Sequence, residues 1–352
     1  MMRTPSMKIA GVLSVMWFQS TFLMGQTLLK QVSLKKFGIA SANYSGIVQV
    51  APDSFAVIDD KSAMDGFIPF RIIQNSVTGE IEQVSADTLH CDRRALATDK
   101  ERSRADCEDI TYVPEWSTYF IASEAEQEIY EYDAAGKRTG RRLNIPEQFS
   151  PQRIRHNGGF ESVTYNSRTR LFWTTTEQPL SGEEGTVRPM LRLQSFTDDL
   201  QPSSQLAYRM EAPLLKPGKY YTHGIPALLA LEDGRLLVME RELSVPQKYI
   251  GSKTQIRVFV VDPSKTEPIL PTTAMKTLGE AQILKKRELF SFTTHIQPGK
   301  INYGNYEGMA FGARLADGRQ TLLLISDSQA GAGNGLYRLK DYIKVVILPE
   351  TF

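Results

Sequence analysis

The chain has 352 residues, with 41 Lys plus Arg against 40 Asp plus Glu and only two cysteines. Its apolar fraction of 41% and charged fraction of 23% are those of a globular chain rather than a disordered one. A formal charge of +1 argues against a nucleic-acid binder working through whole-surface charge, and two cysteines exclude a disulfide-rich scaffold or a cysteine-only zinc site.

Arg3 and Lys8 precede an uncharged apolar run from Ile9 to Met24, and small Gly25 follows. This is the three-part plan of a signal peptide over residues 1–25, cut after Gly25. The mature domain, 26–352, is then expected in the periplasm or outside the cell. Losing Arg3 and Lys8 takes the formal charge from +1 to −1. A membrane anchor is the competing reading, but the run is short for a span of about 20 residues and lacks stop-transfer charges. No second apolar span follows, so no membrane span is expected after cleavage. An oxidising compartment favours a Cys91–Cys107 disulfide, closing a loop of about 16 residues for roughly 3 kcal/mol in the chain-entropy model. Two unpaired thiols, one or both buried, are the alternative.

Beyond the leader, long helical periodicity is scarce and short β-rich runs dominate: Phe55–Ile58, Tyr119–Ala122, Leu171–Thr175, Leu236–Met239 and Thr321–Ile325. Turn pairs such as Ala135–Gly136, Asp233–Gly234 and Asp317–Gly318 punctuate them. Aligned, the runs expose five modules, each an outgoing strand, a turn, and a returning strand that ends on a carboxylate. The modules span Ser45 to Asp60, Glu108 to Glu124, Glu161 to Glu177, His223 to Glu240 and Glu307 to Asp327. Their spacing suits β-propeller blades of four strands with uneven loops. The wide gap after His223 leaves room for a blade whose signature has decayed. An all-β fold, a single β-propeller, is therefore expected, preferably six-bladed at roughly 54 residues per blade, with five or seven as alternatives. An N-terminal strand around Leu28–Phe37 is expected to close the last blade with Gly335–Leu348, removing exposed sheet edges.

The repeat predicts a site. In an antiparallel hairpin the first residue of the outgoing strand lies beside the last of the returning one. Glu108, Glu161, Glu307 and His223 should therefore ring one mouth of the central channel, backed by Asp59 or Asp60, Glu124, Glu177, Glu240 and Asp327. So many carboxylates need protons, basic partners or a cation. Hard oxygen ligands favour calcium, then magnesium, over zinc. The alternative is structural: strand-end acids that cap amides or pair with Lys61, Arg155, Arg241 and Arg287. Two flanking segments, Arg155–Phe160 and Asn302–Tyr306, lead into Glu161 and Glu307. They offer Arg155, Asn157 and Asn305 as substrate-binding donors, although tight turns explain their Gly and Asn equally well. The glycine-rich stretch Gly331–Gly335 reads as a flexible lip. No GxSxG elbow, HExxH, Walker loop or helix-opening GxGxxG is present.

At these residues the sequence resembles the bacterial phytase-like family, described as having the esterase-like activity of phytase. The resemblance rests on Asn305-Tyr306-Glu307-Gly308-Met309, on Asp317-Gly318-Arg319 with Leu322 to Asp327, on Asn157 to Glu161 ending in Thr176 to Leu180, and on Leu236 to Arg241. It covers about residues 35–348. It implies an exported propeller that hydrolyses a phosphate or carboxylic ester, and it carries Glu161 and Glu307 over as family positions. Glu108 lies in a segment similar to the family's Asp-x-Glu-Gly, here Asp106-Cys107-Glu108-Asp109, with the glycine replaced. Ser328-Gln329 stands where the family tends to have a second acid and Asn.

Three functions follow as expectations. The first is a monomeric metal-assisted hydrolase of a small anionic or ester substrate. In it Glu108, Glu161 and Glu307 hold the cation, His223 or a second acid handles the proton, and Arg155 positions the substrate. Phytate itself calls for more clustered Lys and Arg than lies near the ring. The second is a non-catalytic propeller that binds a ligand or partner. The third is a lactonase-like hydrolase acting on a cyclic ester.

Overall fold

The computed structural model describes residues 25–92, 106–184, 187–247, 249–333 and 338–350, so the signal-peptide segment lies outside the described residues except for Gly25. The chain folds into five antiparallel sheets, each the blade of one β-propeller. Blade 1 holds β3 (Tyr44–Ala51), β4 (Ser54–Asp59), β5 (Ile68–Gln74) and β6 (Ile81–Ala86). Blade 2 holds β7 (Cys107–Val113), β8 (Thr118–Ser123), β9 (Glu128–Tyr132) and β10 (Arg138–Arg142). Blade 3 holds β11 (Phe160–Asn166), β12 (Leu171–Thr176), β13 (Met190–Thr197) and β14 (Pro202–Arg209). Blade 4 holds β15 (Tyr220–Ala230), β16 (Leu236–Val245), β17 (Lys253–Val261), β18 (Lys286–Gln297) and β19 (Lys300–Ile301). Blade 5 holds β20 (Asn305–Arg314), β21 (Gln320–Asp327) and β22 (Tyr342–Ile347).

The ring closes with the two ends of the chain. β1 (Thr27–Leu28) and β2 (Val32–Ser33) both pair with β22, and Lys344 Nζ donates to the Leu29 carbonyl at 2.9 Å. The expected closure at Leu28–Phe37 is thus made by two short strands, while Leu34–Phe37 turns away as a 3-10 helix. Part of the other expected strand, residues 335–337, lies outside the described residues.

Each apolar run found in the sequence is the second strand of its blade. These strands are flanked on both edges and sandwiched on both faces, which is why they read as continuous rather than alternating apolar stretches. Val57, Phe120, Phe172, Val238 and Leu323 are all fully buried there. Between blades the side chains interdigitate, as where Leu237, Met239 and Val258 of blade 4 meet Tyr306, Leu322 and Leu324 of blade 5. Gly136, Gly234 and Gly318 take the left-handed backbone their turns need, at φ of 76°, 94° and 89°.

The preferred count of six blades is corrected to five. The residues between His223 and Glu307 build longer strands rather than another sheet: β15 has 11 residues and β18 has 12. The remainder, 262–285, returns along the outer edge of blade 3. There Ile269 N donates to the Gln205 carbonyl at 2.8 Å and Leu284 N to the Ala207 carbonyl at 2.9 Å.

The expected disulfide is also corrected, because both thiols are free. Cys107 opens β7 inside the blade 1–2 core, among Ile58, Phe67 and Tyr132. Cys91 lies outside that core, with its sulfur 3.8 Å from Met64 Sδ.

Candidate functional site

The inner strands β3, β7, β11, β15 and β20 all begin at the same end of the channel, and each carries a β-bulge there. In blade 2 the pairing steps from Cys107↔Ser123 to Asp109↔Ala122, so Glu108 is the extra residue. Glu161 is skipped in the same way between Phe160↔Thr176 and Ser162↔Thr175, and Glu307 between Tyr306↔Ser326 and Gly308↔Ile325. A bulge re-aims its side chain out of the pleat, which is how one acid from each of three blades reaches the mouth. It also displaces the pairing expected from sequence. Glu177 N bonds the Gly159 carbonyl, Glu124 N bonds the Asp106 carbonyl, and Asp327 faces Asn305. Blades 1 and 4 bulge at Ser45–Gly46 and Ile225–Pro226 and contribute no acid from the inner strand.

Glu161, Glu177 and Glu307 converge on one guanidinium. Arg241 Nη2 donates to Glu177 Oε1 at 2.7 Å and lies 3.7 Å from Glu161 Oε2, while Nη1 bonds Glu307 Oε1 and, at 3.3 Å, Asn305 Oδ1. Asn305 Nδ2 donates to the same Glu307 oxygen at 2.7 Å. Arg241 is buried, whereas the Glu161 and Glu307 side chains keep 14% and 17% of their surface open to the mouth. Gly224 makes the convergence possible: a Cβ there would lie 2.4 Å from Glu177 Cγ and 2.6 Å from the Glu177 carbonyl oxygen. We therefore expect Gly224→Ala to destabilise the fold by about 1–3 kcal/mol, the usual range for overpacking. Chemical denaturation checks this, and an unchanged midpoint would contradict the close approach.

A second cluster sits on the blade 1–2 side. Carboxylate oxygens of Asp60, Asp106 and Glu108 lie within 4.8 Å of one another. Lys61 Nζ spans two of them, at 2.5 Å from Asp106 Oδ1 and 3.0 Å from Asp60 Oδ2. Asp60 Oδ1 is buried without a hydrogen-bond partner. Between the clusters, Glu124 Oε1 accepts from Gly159 N at 2.9 Å.

Asp60, Asp106, Glu108, Glu124, Glu161, Glu177, Glu307 and Asp327 thus share the mouth with Lys61 and Arg241, eight carboxylates against two cations. Burial pushes Asp60 up to about 7, with Lys61 opposing and Glu307 adding to the rise. Burial, then the Asp60 and Glu307 charges, carries Glu108 well above the carboxylate range. Glu161 rises through burial and Glu177, with Arg241 opposing, and Asp327 through burial and Glu307. Burial also raises Glu124 and Glu307, which the Gly159 amide and Arg241 respectively restrain. Burial and the crowding of like charge thus favour the protonated form of these raised acids.

The other expected site residues fall elsewhere. His223 pairs with Glu242, not Glu240, and shares the blade 3–4 side of β16 with Glu240 and Arg257. Its Nε2 is buried without a partner, and burial lowers its pKa. Glu240 leaves the ring for the same interface, accepting from Tyr208 Oη at 2.7 Å and Lys286 Nζ at 2.5 Å. Arg155 lies on the surface, 3.8 Å from Glu184. Asn157 is an exposed turn residue at φ 53°, so neither is among the groups that contact the acids. Glu108, Glu161 and Glu307 share the mouth, but the tight ligand-spaced set contains Glu108 with Asp60 and Asp106 instead.

Arg241 had a readable signal. It occupies the position opposite Gly224 that Glu177 occupies opposite Gly159, and it pairs with strand-end acids as the structural alternative expected. Asp109, which replaces the family's glycine, needs no left-handed backbone. Its carboxylate accepts from Val163 N at 2.9 Å and so ties blade 2 to blade 3, while Gly46 supplies the room. Below the ring the channel holds a cavity of about 200 Å³ walled by all five inner strands, including Ile47, Ile110, Val163, Leu228 and Met309.

Residues 39–329 match the family profile described as "Phytase-like: Esterase-like activity of phytase". No curated protein matches the sequence. Among solved structures, a streptogramin B lyase is similar at 12% identity and a TM-score of 0.36, covering 92% of this chain and 98% of that one. An endo-arabinase from Bacteroides thetaiotaomicron VPI-5482 is similar at 11% identity and a TM-score of 0.44, covering 92% and 97%. A luciferin-regenerating enzyme is similar at 11% identity and a TM-score of 0.37, covering 90% and 95%. At such values these likenesses say nothing about chemistry here.

Proposed function

The chain belongs to the phytase-like family, and from that premise we propose that it is a calcium-dependent hydrolase of a carboxylic ester. One observation carries the reading: Asp60, Asp106 and Glu108 present oxygens within 4.8 Å of one another at a mouth where Arg241 clasps Glu177 and Glu307. Oxygens around a calcium ion at 2.3–2.6 Å fall within that mutual spacing, and the orphaned Asp60 Oδ1 supplies a ligand with no competing bond. The residues fit a hard divalent cation, with Lys61 as the group it would displace.

A bound cation supplies Lewis-acid polarisation of the ester oxygen and makes nearby water more acidic. Glu161 is the proton carrier. Its pKa is raised and it stands 3.7 Å from Arg241 without a hydrogen bond to it, so it keeps a proton for the departing alkoxide. Arg241 and Asn305 hold Glu307 in place beside it, and Glu177 is held by Arg241 and by Thr222 Oγ1 at 3.2 Å. Three carboxylates already oppose the charge of Arg241, so it offers little net attraction to a substrate anion. A neutral ester therefore suits this mouth better than a phosphate monoester, and phytate suits it least.

Purified protein should hydrolyse p-nitrophenyl acetate or butyrate faster than p-nitrophenyl phosphate, and EDTA should abolish the activity until calcium is restored. Glu161→Gln should lower kcat by about 10²–10⁴ with little change in Tm. No calcium-dependent turnover across esters, phosphates and lactones, or full activity in E161Q, would overturn the reading. The pairing of Arg241 with three carboxylates favours a second reading, a non-catalytic binding propeller with a structural ring, and an unfolded E161Q would support that one. The reading includes export to the periplasm or beyond, supported by the apolar leader and checked by cell fractionation.

A further inference from the structure

The inner hairpins of four blades end at the acid ring, at Tyr44↔Asp59, Cys107↔Ser123, Phe160↔Thr176 and Asn305↔Asp327. Blade 4 alone runs on. From Gly224↔Arg241 its pairing continues through His223↔Glu242, Thr222↔Leu243 and Tyr221↔Ser244 to Tyr220↔Val245. Four residues at about 3.3 Å each carry this hairpin about 13 Å above the mouth.

The projecting end is apolar. Leu214 is 64% exposed, Tyr220 59%, Ile250 43% and Tyr249 37%, four of the seven large hydrophobic side chains exposed among the described residues. They sit on two abutting loops, since Gly218 packs against the Val245 carbonyl and Pro246 N. The same loops present exposed Lys216, Lys219 and Lys253, with Lys219 Nζ 5.0 Å from the Tyr220 ring centroid. Segments 212–223 and 243–255 contain no Asp, Glu or Arg. The support is rigid: buried Glu242 accepts from Leu214 N at 2.7 Å, Leu215 N at 2.8 Å and Tyr221 Oη at 2.8 Å. Ser244 Oγ donates to the Lys216 carbonyl at 2.7 Å.

We propose that this end of blade 4 docks the protein on an anionic lipid surface. The chemistry selects lipid over a protein partner. Protein interfaces are depleted in Lys and enriched in Arg, whereas here every cation is Lys. Tyr rings and Lys stems are the groups that lodge at a headgroup boundary, with ammonium tips reaching the phosphates. The acid ring, about 13 Å below, lies beyond the screening length of about 8 Å at physiological salt, so it does not cancel the attraction. No described helix is long and apolar enough to span a membrane, and docking of this kind needs none.

The test is co-sedimentation of the purified chain with vesicles of phosphatidylglycerol and phosphatidylethanolamine, compared with pure phosphatidylcholine. Binding to the anionic vesicles should be at least tenfold tighter and should weaken as salt rises from 50 to 500 mM. The combined substitution K216E/K219E/K253E should abolish it, and L214S/Y220S/Y249S/I250S should weaken it at least tenfold. Equal binding to both vesicle types, no vesicle binding, or unaltered binding by either variant would overturn the proposal. Wild-type salt dependence keeps it testable even where a variant expresses poorly. Capture of an acidic protein with no vesicle binding would also count against it. None of these outcomes depends on hydrolysis.

Discussion

Arg241→Ala should be the most damaging single change at the mouth, lowering stability by about 3–5 kcal/mol and Tm by about 4–7 °C at pH 8. The substitution removes the guanidinium that clasps Glu177 and Glu307 beside Glu161 and leaves buried carboxylates with no counter-ion. Such a loss exceeds what the pair contributed, because desolvation of the abandoned carboxylates is no longer offset. The sign of its pH dependence identifies the cause. At lower pH Glu161 and Glu307, whose pKa values burial raises, accept protons, so the deficit should shrink at pH 5. A merely lost packing contact would cost the same at both values. Arg241→Lys should recover only part of the loss, because a single ammonium cannot span Glu177 on one side and Glu307 with Asn305 on the other. Urea melts at pH 5 and pH 8 decide it, and an R241A protein as stable as wild type at pH 8 would show that the clasp is not formed.

The second large effect belongs to pH itself. Asp60 is raised to about 7, and Glu108, Glu124, Glu161, Glu307 and Asp327 are raised too, chiefly by burial. Groups that bind protons more tightly folded than unfolded make folding take up protons. Stability therefore falls as pH rises from the unfolded carboxylate value near 4 through the raised folded values, of which that of Asp60 is about 7. His223, lowered by burial, pulls the other way, and so do Glu211, Asp233 and Asp262 at the acid end of the range. Calcium-free protein should lose on the order of 2–4 kcal/mol between pH 5 and pH 8. Millimolar calcium should restore most of it at pH 8 and little at pH 5, where protons already occupy the oxygens. Asp60→Asn should flatten the profile and abolish the calcium effect. Calcium-free stability that climbs steadily from pH 5 to pH 8 would refute the crowding of charge.

The propeller was legible because its central strands are buried on both faces, so runs such as Phe55–Ile58 and Leu236–Met239 carry a signal that no surface strand carries. The convergence of Glu108, Glu161 and Glu307 at one end was legible for the same reason: the repeat fixes strand direction, and direction fixes the end. Blade number was not, because length alone cannot tell a decayed blade from one with strands of 11 and 12 residues. The bulges escaped because one extra residue per hairpin leaves composition untouched, yet each moves every later partner by one position. His223 falls opposite Glu242 and Glu240 turns to the blade 3–4 interface, while Arg241, expected as a basic partner of strand-end acids, takes that role. Arg155 looked like the substrate's cation because it precedes Glu161 in the chain, but the turn at Asn157 directs it to the surface beside Glu184.

The central claim, that bulged acids from separate blades gather into one cation-binding mouth, is tested most directly by crystals grown in calcium and measured for its anomalous signal. A single strong peak within 2.3–2.6 Å of oxygens from Asp60, Asp106 and Glu108, with Lys61 turned aside and Arg241 still on Glu177 and Glu307, is the predicted result. A peak at some other place on the molecule, or saturating calcium with Lys61 still bridging Asp60 and Asp106, would contradict it.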